Sequence, residues 1–179
     1  MPAYKILVTG PFNSGKTTFI KTVSDIAPVK TEKIVTEKEY IGIKEKTTVA
    51  MDFGMIAIDK KDNLVLHLYG TPGQTRFDFM WDILIDGALG IVILADSTDK
   101  KSVNAIPVYL NFYKSKGVDI PIVIGLTRAD KNDSIYDIGN IAQSFPVLKI
   151  NAEDKEDVKK TLLTLLERFS EQSYGNAKY

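Results

Sequence analysis

The feature that most constrains this chain is Gly10-Pro11-Phe12-Asn13-Ser14-Gly15-Lys16-Thr17, which matches G-x-x-x-x-G-K-[ST] at every fixed position. It follows Tyr4 to Thr9, a short β-branched apolar stretch that reads as a buried strand, and leads into residues 16 to 24, which read as a helix. Glycines let the backbone curl so that successive N–H groups face inward, and the helix adds its unpaired N–H groups and positive dipole end. A loop of that kind cradles the phosphates of a nucleotide. Lys16 would neutralise the β and γ phosphates, and Thr17 would offer its hydroxyl to Mg²⁺. Gly10, Asn13, Ser14, Gly15 and Thr18 complete the candidate cradle.

The pattern downstream predicts an alternation of strands and helices. Residues 27 to 46 are polar, lysine-rich and weakly patterned, which predicts a loop. Val49 to Ile58 and Leu64 to Tyr69 read as two strands of an antiparallel hairpin, joined by the polar turn Asp59 to Asn63. A short helix is expected near Phe79 to Asp86, a doubly covered strand at Gly90 to Ala95, and a helix over Lys101 to Lys116 broken near Pro107. Pro121 to Leu126 reads as another buried strand, followed by a short helix near Ile135 to Ser144 and the strand Val147 to Ile150. Val158, Leu162, Leu165 and Phe169 form one stripe of a last helix over Lys155 to Glu171, with 172–179 as a frayed tail. The fold class expected is therefore α/β, a P-loop NTPase with a six-stranded, mostly parallel sheet, one antiparallel edge strand and helices on both faces. All 179 residues fit a single domain.

Composition removes several chemistries. With 23 Lys and Arg against 23 Asp and Glu there is no global field to gather nucleic acid. The absence of cysteine excludes disulfides, thiol catalysis and thiolate metal centres. His67 is the one histidine, and its place between Leu66 and Leu68 marks it as structural. The longest strictly apolar run, Ile91 to Ala95, is far below a membrane span. The termini show neither a secretory leader nor a lipidation signal, so a cytoplasmic location without a lipid anchor is expected.

Ile122 to Leu126 runs into Thr127-Arg128-Ala129-Asp130, and here the chain resembles the Ras-like small GTPases, whose Asn/Thr-Lys-x-Asp motif follows the same strand. The resemblance covers about Lys5 to Phe169 and implies GTP and GDP as ligands. A carboxylate at Asp130 would accept from guanine's ring N–H and exocyclic amine, and ATP would leave it unpaired. Arg128 replaces the family's lysine, whose alkyl stem lies over the base; a guanidinium can stack there too. Asn151-Ala152-Glu153 stands where the family has Ser-Ala-Lys, which implies the Ala152 N–H on guanine O6, while Asn151 reads equally as a helix cap.

Gly70-Thr71-Pro72-Gly73-Gln74 resembles the family's Asp-x-x-Gly-Gln switch II. The resemblance implies that Gly73 reports the γ-phosphate and Gln74 orients the attacking water. Gly70 replaces the aspartate that serves Mg²⁺, and Asp52 on the neighbouring strand is a substitute, or else an ordinary strand carboxylate. Thr47 or Thr48, with Thr48 favoured, would be the switch I ligand to the metal. The wording from Thr47 to Gly54 together with 70–74 is closest to the prokaryotic MglA type.

These parts describe a switch that hydrolyses GTP slowly, with Lys16 and Gln74 as its catalytic residues and Arg76 as the one arginine in a switch. A scaffold that holds nucleotide with negligible hydrolysis is the alternative, and a small-molecule kinase is disfavoured by the scarcity of arginine. Phe77, Phe79, Met80, Trp81, Ile83, Leu84 and Ile85 carry more apolar surface than one core needs. Core packing is the favoured account of them, and the sharper one is a surface for a roadblock-type dimeric regulator.

Overall fold

The computed structural model describes residues 3–27, 29–36, 46–59, 64–73, 79–117, 119–129 and 138–176. In chain order the elements are β1 (Ala3–Thr9), α1 (Lys16–Val23), β2 (Val29–Thr36), β3 (Lys46–Asp59), β4 (Leu64–Gly70), α2 (Phe79–Ile85) and β5 (Ala88–Asp96). There follow α3 (Lys100–Asn104), α4 (Ile106–Ser115), β6 (Ile122–Thr127), α5 (Ile141–Ser144), β7 (Val147–Ile150) and α6 (Lys155–Asn176). The strands form one sheet in the order β2-β3-β4-β1-β5-β6-β7. β1 is parallel to β4 and β5, β5 to β6, and β6 to β7, whereas β3 is antiparallel to both β2 and β4.

The α/β class and the six expected strands are present, with one strand, β3, running against the others. Part of the segment expected to be a loop is instead β2, which pairs with β3 from Val29↔Phe53 to Thr36↔Lys46. β3 therefore lies one place inside the sheet, and β2 takes the edge. The helix over 101–116 is broken near Pro107 as expected, into two helices that meet at Ala105, because Pro107 suits the first turn of α4 and not a helix interior. α6 runs on to Asn176, so residues 172–176 are helical where a tail was expected. Among the described residues no helix is long and apolar enough to cross a membrane.

Two apolar layers flank the sheet. β5 feeds both, as its unbroken apolar sequence requires: Ile91 and Ile93 face α2, α3 and α4, while Val92 and Leu94 face α1 and α6. Met80, Trp81, Leu84 and Ile85 are buried in the first layer, with the Trp81 ring 4.5 Å from that of Tyr109. Core packing thus accounts for these four side chains of α2, and Ile83 is the exposed apolar one among its described side chains. On the other side α6 approaches closely over Gly90, where an added Cβ would lie 2.9 Å from Leu165 Cγ. His67 is structural, edge-on to Phe53 with ring centroids 5.4 Å apart. The unusual residues collect at the carboxyl ends of β1, β4, β5 and β6, where open parallel sheets bind their ligands.

Candidate functional site

The cradle is built where β1 hands over to α1. Gly10 has φ 137 and lies against the Leu94 carbonyl, and Gly15, which starts α1, has φ 96. Asn13, between them, is also left-handed at φ 63. These turns wrap the loop around Lys16, whose Nζ donates to the carbonyls of Gly10 (2.8 Å) and Pro11 (2.6 Å). Burial pushes Lys16 down to about 8, against the pull of the Asp52 carboxylate. Thr17 Oγ1 donates to Asp52 Oδ2 at 2.5 Å.

Two glycines bring that carboxylate in. Gly54 lets β3 lie on α1, since a Cβ there would be 2.6 Å from Ile20 Cγ2. Ser24 and Asp25 hold the same contact, with Met55 N–H donating to Ser24 Oγ (3.2 Å) and Ala57 N–H to Asp25 Oδ2 (2.8 Å). Gly70 is the cross-strand partner of Asp52, and a Cβ on it would be 3.0 Å from Asp52 Cβ. The carboxylate of β3 thus fills the space that a side chain on Gly70 would claim.

After β4, Thr71 N–H donates to the Val8 carbonyl (3.0 Å) and Thr71 Oγ1 to Thr9 Oγ1 (2.8 Å), which ties the chain to the end of β1. Gly73 then meets the cradle: an added Cβ would lie 2.6 Å from the Phe12 nitrogen and 2.8 Å from Lys16 Nζ. Phe12 itself is 75% exposed at the rim. Gln74, Arg76 and Asp130 lie outside the described residues.

Beside the cradle a cavity of about 60 Å³ is bordered by Gly15 and Thr18 of the cradle and by Thr127, Arg128, Asn151 and Ala152 of the two motifs expected at a base. Thr127 Oγ1 donates to the Ser14 carbonyl (3.1 Å), joining the two motifs. The Arg128 guanidinium is held by two partners. It pairs with Asp96 and donates to the Asn13 carbonyl (3.1 Å), leaving its aliphatic stem to border the cavity. Asn151 does not cap α6: Asp154 does, accepting from Glu156 N–H (2.8 Å), while Asn151 Oδ1 accepts from Glu153 N–H (3.1 Å). Glu153 of the same motif also borders the cavity, and Asp96 is the residue that sequence reasoning missed.

The side chains of Thr47 and Thr48 lie outside the described ones. Thr48 pairs with Ile34 in β3, four residues before Asp52, or about 13 Å along the strand at the usual rise. The donors that do converge, one carboxylate and one hydroxyl beside a cation, fit Mg²⁺, which takes few protein ligands and completes its shell with phosphates and water. Among the described residues there is no cluster of three or more carboxylate or imidazole ligands.

A parallel sheet with this loop at its centre defines the P-loop nucleotide-binding proteins. Within that class, the family described as conserved hypothetical ATP binding protein matches residues 8–175, and the chain belongs to it. It is also a distant relative of the Ras, Rab and Arf small GTPases. The Ras-related protein RIC1 of rice is 25% identical over 170 residues, 90% of this chain and 78% of its own. The GTP-binding protein ypt1 of fission yeast is 25% identical over 183 residues, 97% and 83% of the two chains. The uncharacterized protein MJ1339 of Methanocaldococcus jannaschii is 36% identical over 95 residues, and the match spans about half of each chain.

Proposed function

We propose that this protein is a GTP-binding switch of the MglA-like branch that hydrolyses GTP to GDP and phosphate slowly. The observation that carries this reading is the Thr17 to Asp52 hydrogen bond beside Lys16, on a cradle that fits the P-loop pattern at every fixed position. Thr17 and Asp52 would hold Mg²⁺, which when bound neutralises charge on the phosphates. Lys16 would bind the β and γ phosphates, Gly73 N–H would meet the γ-phosphate, and Gln74 would orient the attacking water. No covalent intermediate is needed, because positioning and charge neutralisation carry such chemistry.

Guanine is favoured by Asp130 in the Thr-Arg-Ala-Asp motif, by Ala152 at the base cavity and by the likeness to GTP-binding proteins such as ypt1. The family description speaks of ATP, so the purine is the first thing to measure. Titration with GDP, GTP and ATP, with and without Mg²⁺, should give tight Mg²⁺-dependent guanine binding and weak ATP binding. Failure to bind guanine nucleotide at saturating Mg²⁺ overturns the proposal.

A scaffold with negligible hydrolysis is the second reading, favoured by the pairing that keeps Thr48 in β3. Single-turnover phosphate release separates the two. A roadblock-type regulator in the cytoplasm would contact the switch loops and the exposed Ile83 of α2.

A further inference from the structure

We infer that Asp96 is a positioning residue of the nucleotide site, acting through Arg128 on the backbone of Asn13. The inference rests on the reading that this loop binds a polyphosphate. Asp96 ends β5 with its side chain only 11% exposed, and the turn into α3 holds it rigidly. Its Oδ1 accepts from Thr98 N–H (2.9 Å) and Thr98 Oγ1 (2.7 Å), and its own N–H donates to Ser102 Oγ (2.9 Å). Its Oδ2 is left to receive Arg128.

Arg128 is left-handed at φ 58, a conformation that few residues other than glycine adopt without a compensating contact. The contact is the guanidinium, which bonds Asp96 and the Asn13 carbonyl through Nη1, with Nη2 3.5 Å from Asn13 Oδ1. Asn13 is the other left-handed non-glycine residue among those described. Its turn decides where the next amides of the loop point, and those amides are the phosphate donors. The guanidinium plane, fixed by Asp96, offers Nη1 to the Asn13 carbonyl and turns Nη2 toward the Asn13 side chain, and a lysine's flexible stem lacks that preorganised plane. Arg128 thereby spans from the end of β5 to the P-loop. Burial works against the Asp96 carboxylate, yet the Thr98 bonds and the guanidinium together hold it below its ordinary range.

The test uses the full chain in two arms. In the first, release of fluorescent GDP is timed for wild type, Asp96→Asn, Thr98→Ala and Arg128→Lys. Asp96→Asn and Arg128→Lys should each release it at least about tenfold faster, the size expected for a lost charge-assisted bond, and their effects should not add. Thr98→Ala should fall between, and it stands in for Asp96→Asn should that variant not fold. In the second arm, amide exchange over residues 12–15 is followed in nucleotide-free protein and should quicken in the same order. Release within twofold of wild type together with unchanged exchange overturns the inference. Should wild type bind no GDP, the proposed function falls while the exchange arm still decides whether Asp96 holds the loop.

Discussion

At the scale of single residues, the site turns on an exchange between two positions facing each other across a ladder. Asp52 and Gly70 are cross-strand partners, and the carboxylate stands on β3 where the Ras-like pattern has it on β4. The space admits one of them. An Asp at position 70 would bring its Cβ within 2.9 Å of Ile20 Cδ1 and set a second carboxylate beside the first. Asp52→Asn should therefore weaken nucleotide binding in Mg²⁺ by about tenfold or more and leave binding in chelator nearly unchanged. Gly70→Asp alone should destabilise the protein by about 1–3 kcal/mol. Combined with Asp52→Gly, it should regain both stability and Mg²⁺ dependence. A double variant as poor as the worse single, in denaturation and in binding, would show that the two positions are not interchangeable. Gly10 allows no such exchange: a Cβ there would be 2.0 Å from the Leu94 carbonyl oxygen, at φ 137. Gly10→Ala should yield no cooperatively folded protein, as a single thermal melt would show.

At the scale of elements, legibility followed the strength of the pattern. β1, β5, β6 and β7 were readable because each is a compact apolar run, and α1 because a loop of fixed spelling precedes it. β2 was missed because Val29-Lys30-Thr31-Glu32-Lys33-Ile34-Val35-Thr36 mixes charge with β-branching, as suits an edge strand that discourages further pairing. The end of α6 was missed because Glu171 to Asn176 carries no apolar stripe. Asp96 belongs to no motif; its available signal was its ladder position, directly beside Thr127. The β2–β3 pairing also bears on switching, since it holds the Thr48 backbone in a ladder opposite Ile34. If Thr48 joins the metal when GTP is bound, that pairing must loosen. Amide exchange over 29–36 should then be faster with a non-hydrolysable GTP analogue than with GDP, and equal rates would assign the switch I role elsewhere. The helix layer gives a stability test. Gly90→Ala would press a methyl onto three Leu165 carbons at 2.9 to 3.0 Å, so α6 must shift. The cost should be about 1–3 kcal/mol in denaturant unfolding, with nucleotide affinity little changed.

At the scale of the whole molecule, the cradle couples protons to both folding and binding. Lys16 is held at about 8 against the ordinary lysine value of 10.5, primarily because burial disfavours its charge. Between those values the unfolded chain binds more protons than the folded one, so stability of the nucleotide-free protein rises with pH across that window. The full gain is about 3 kcal/mol for a shift of this size. Tyr113 acts oppositely: burial raises it to about 12, so its contribution is lost as pH climbs from about 10 toward 12. Nucleotide reverses the logic at Lys16, because a polyphosphate beside the ammonium restores the charged form. Binding above pH 8 must then take up a proton, while the phosphate's own last proton has already left. Affinity should be level near pH 7 and fall by up to about tenfold per pH unit above 8, and Lys16→Met should bind weakly with no such slope. Isothermal titration in buffers of different ionisation enthalpy counts the proton directly. An affinity that stays level from pH 7 to beyond pH 9, with no proton taken up, would mean that Lys16 does not meet the phosphates.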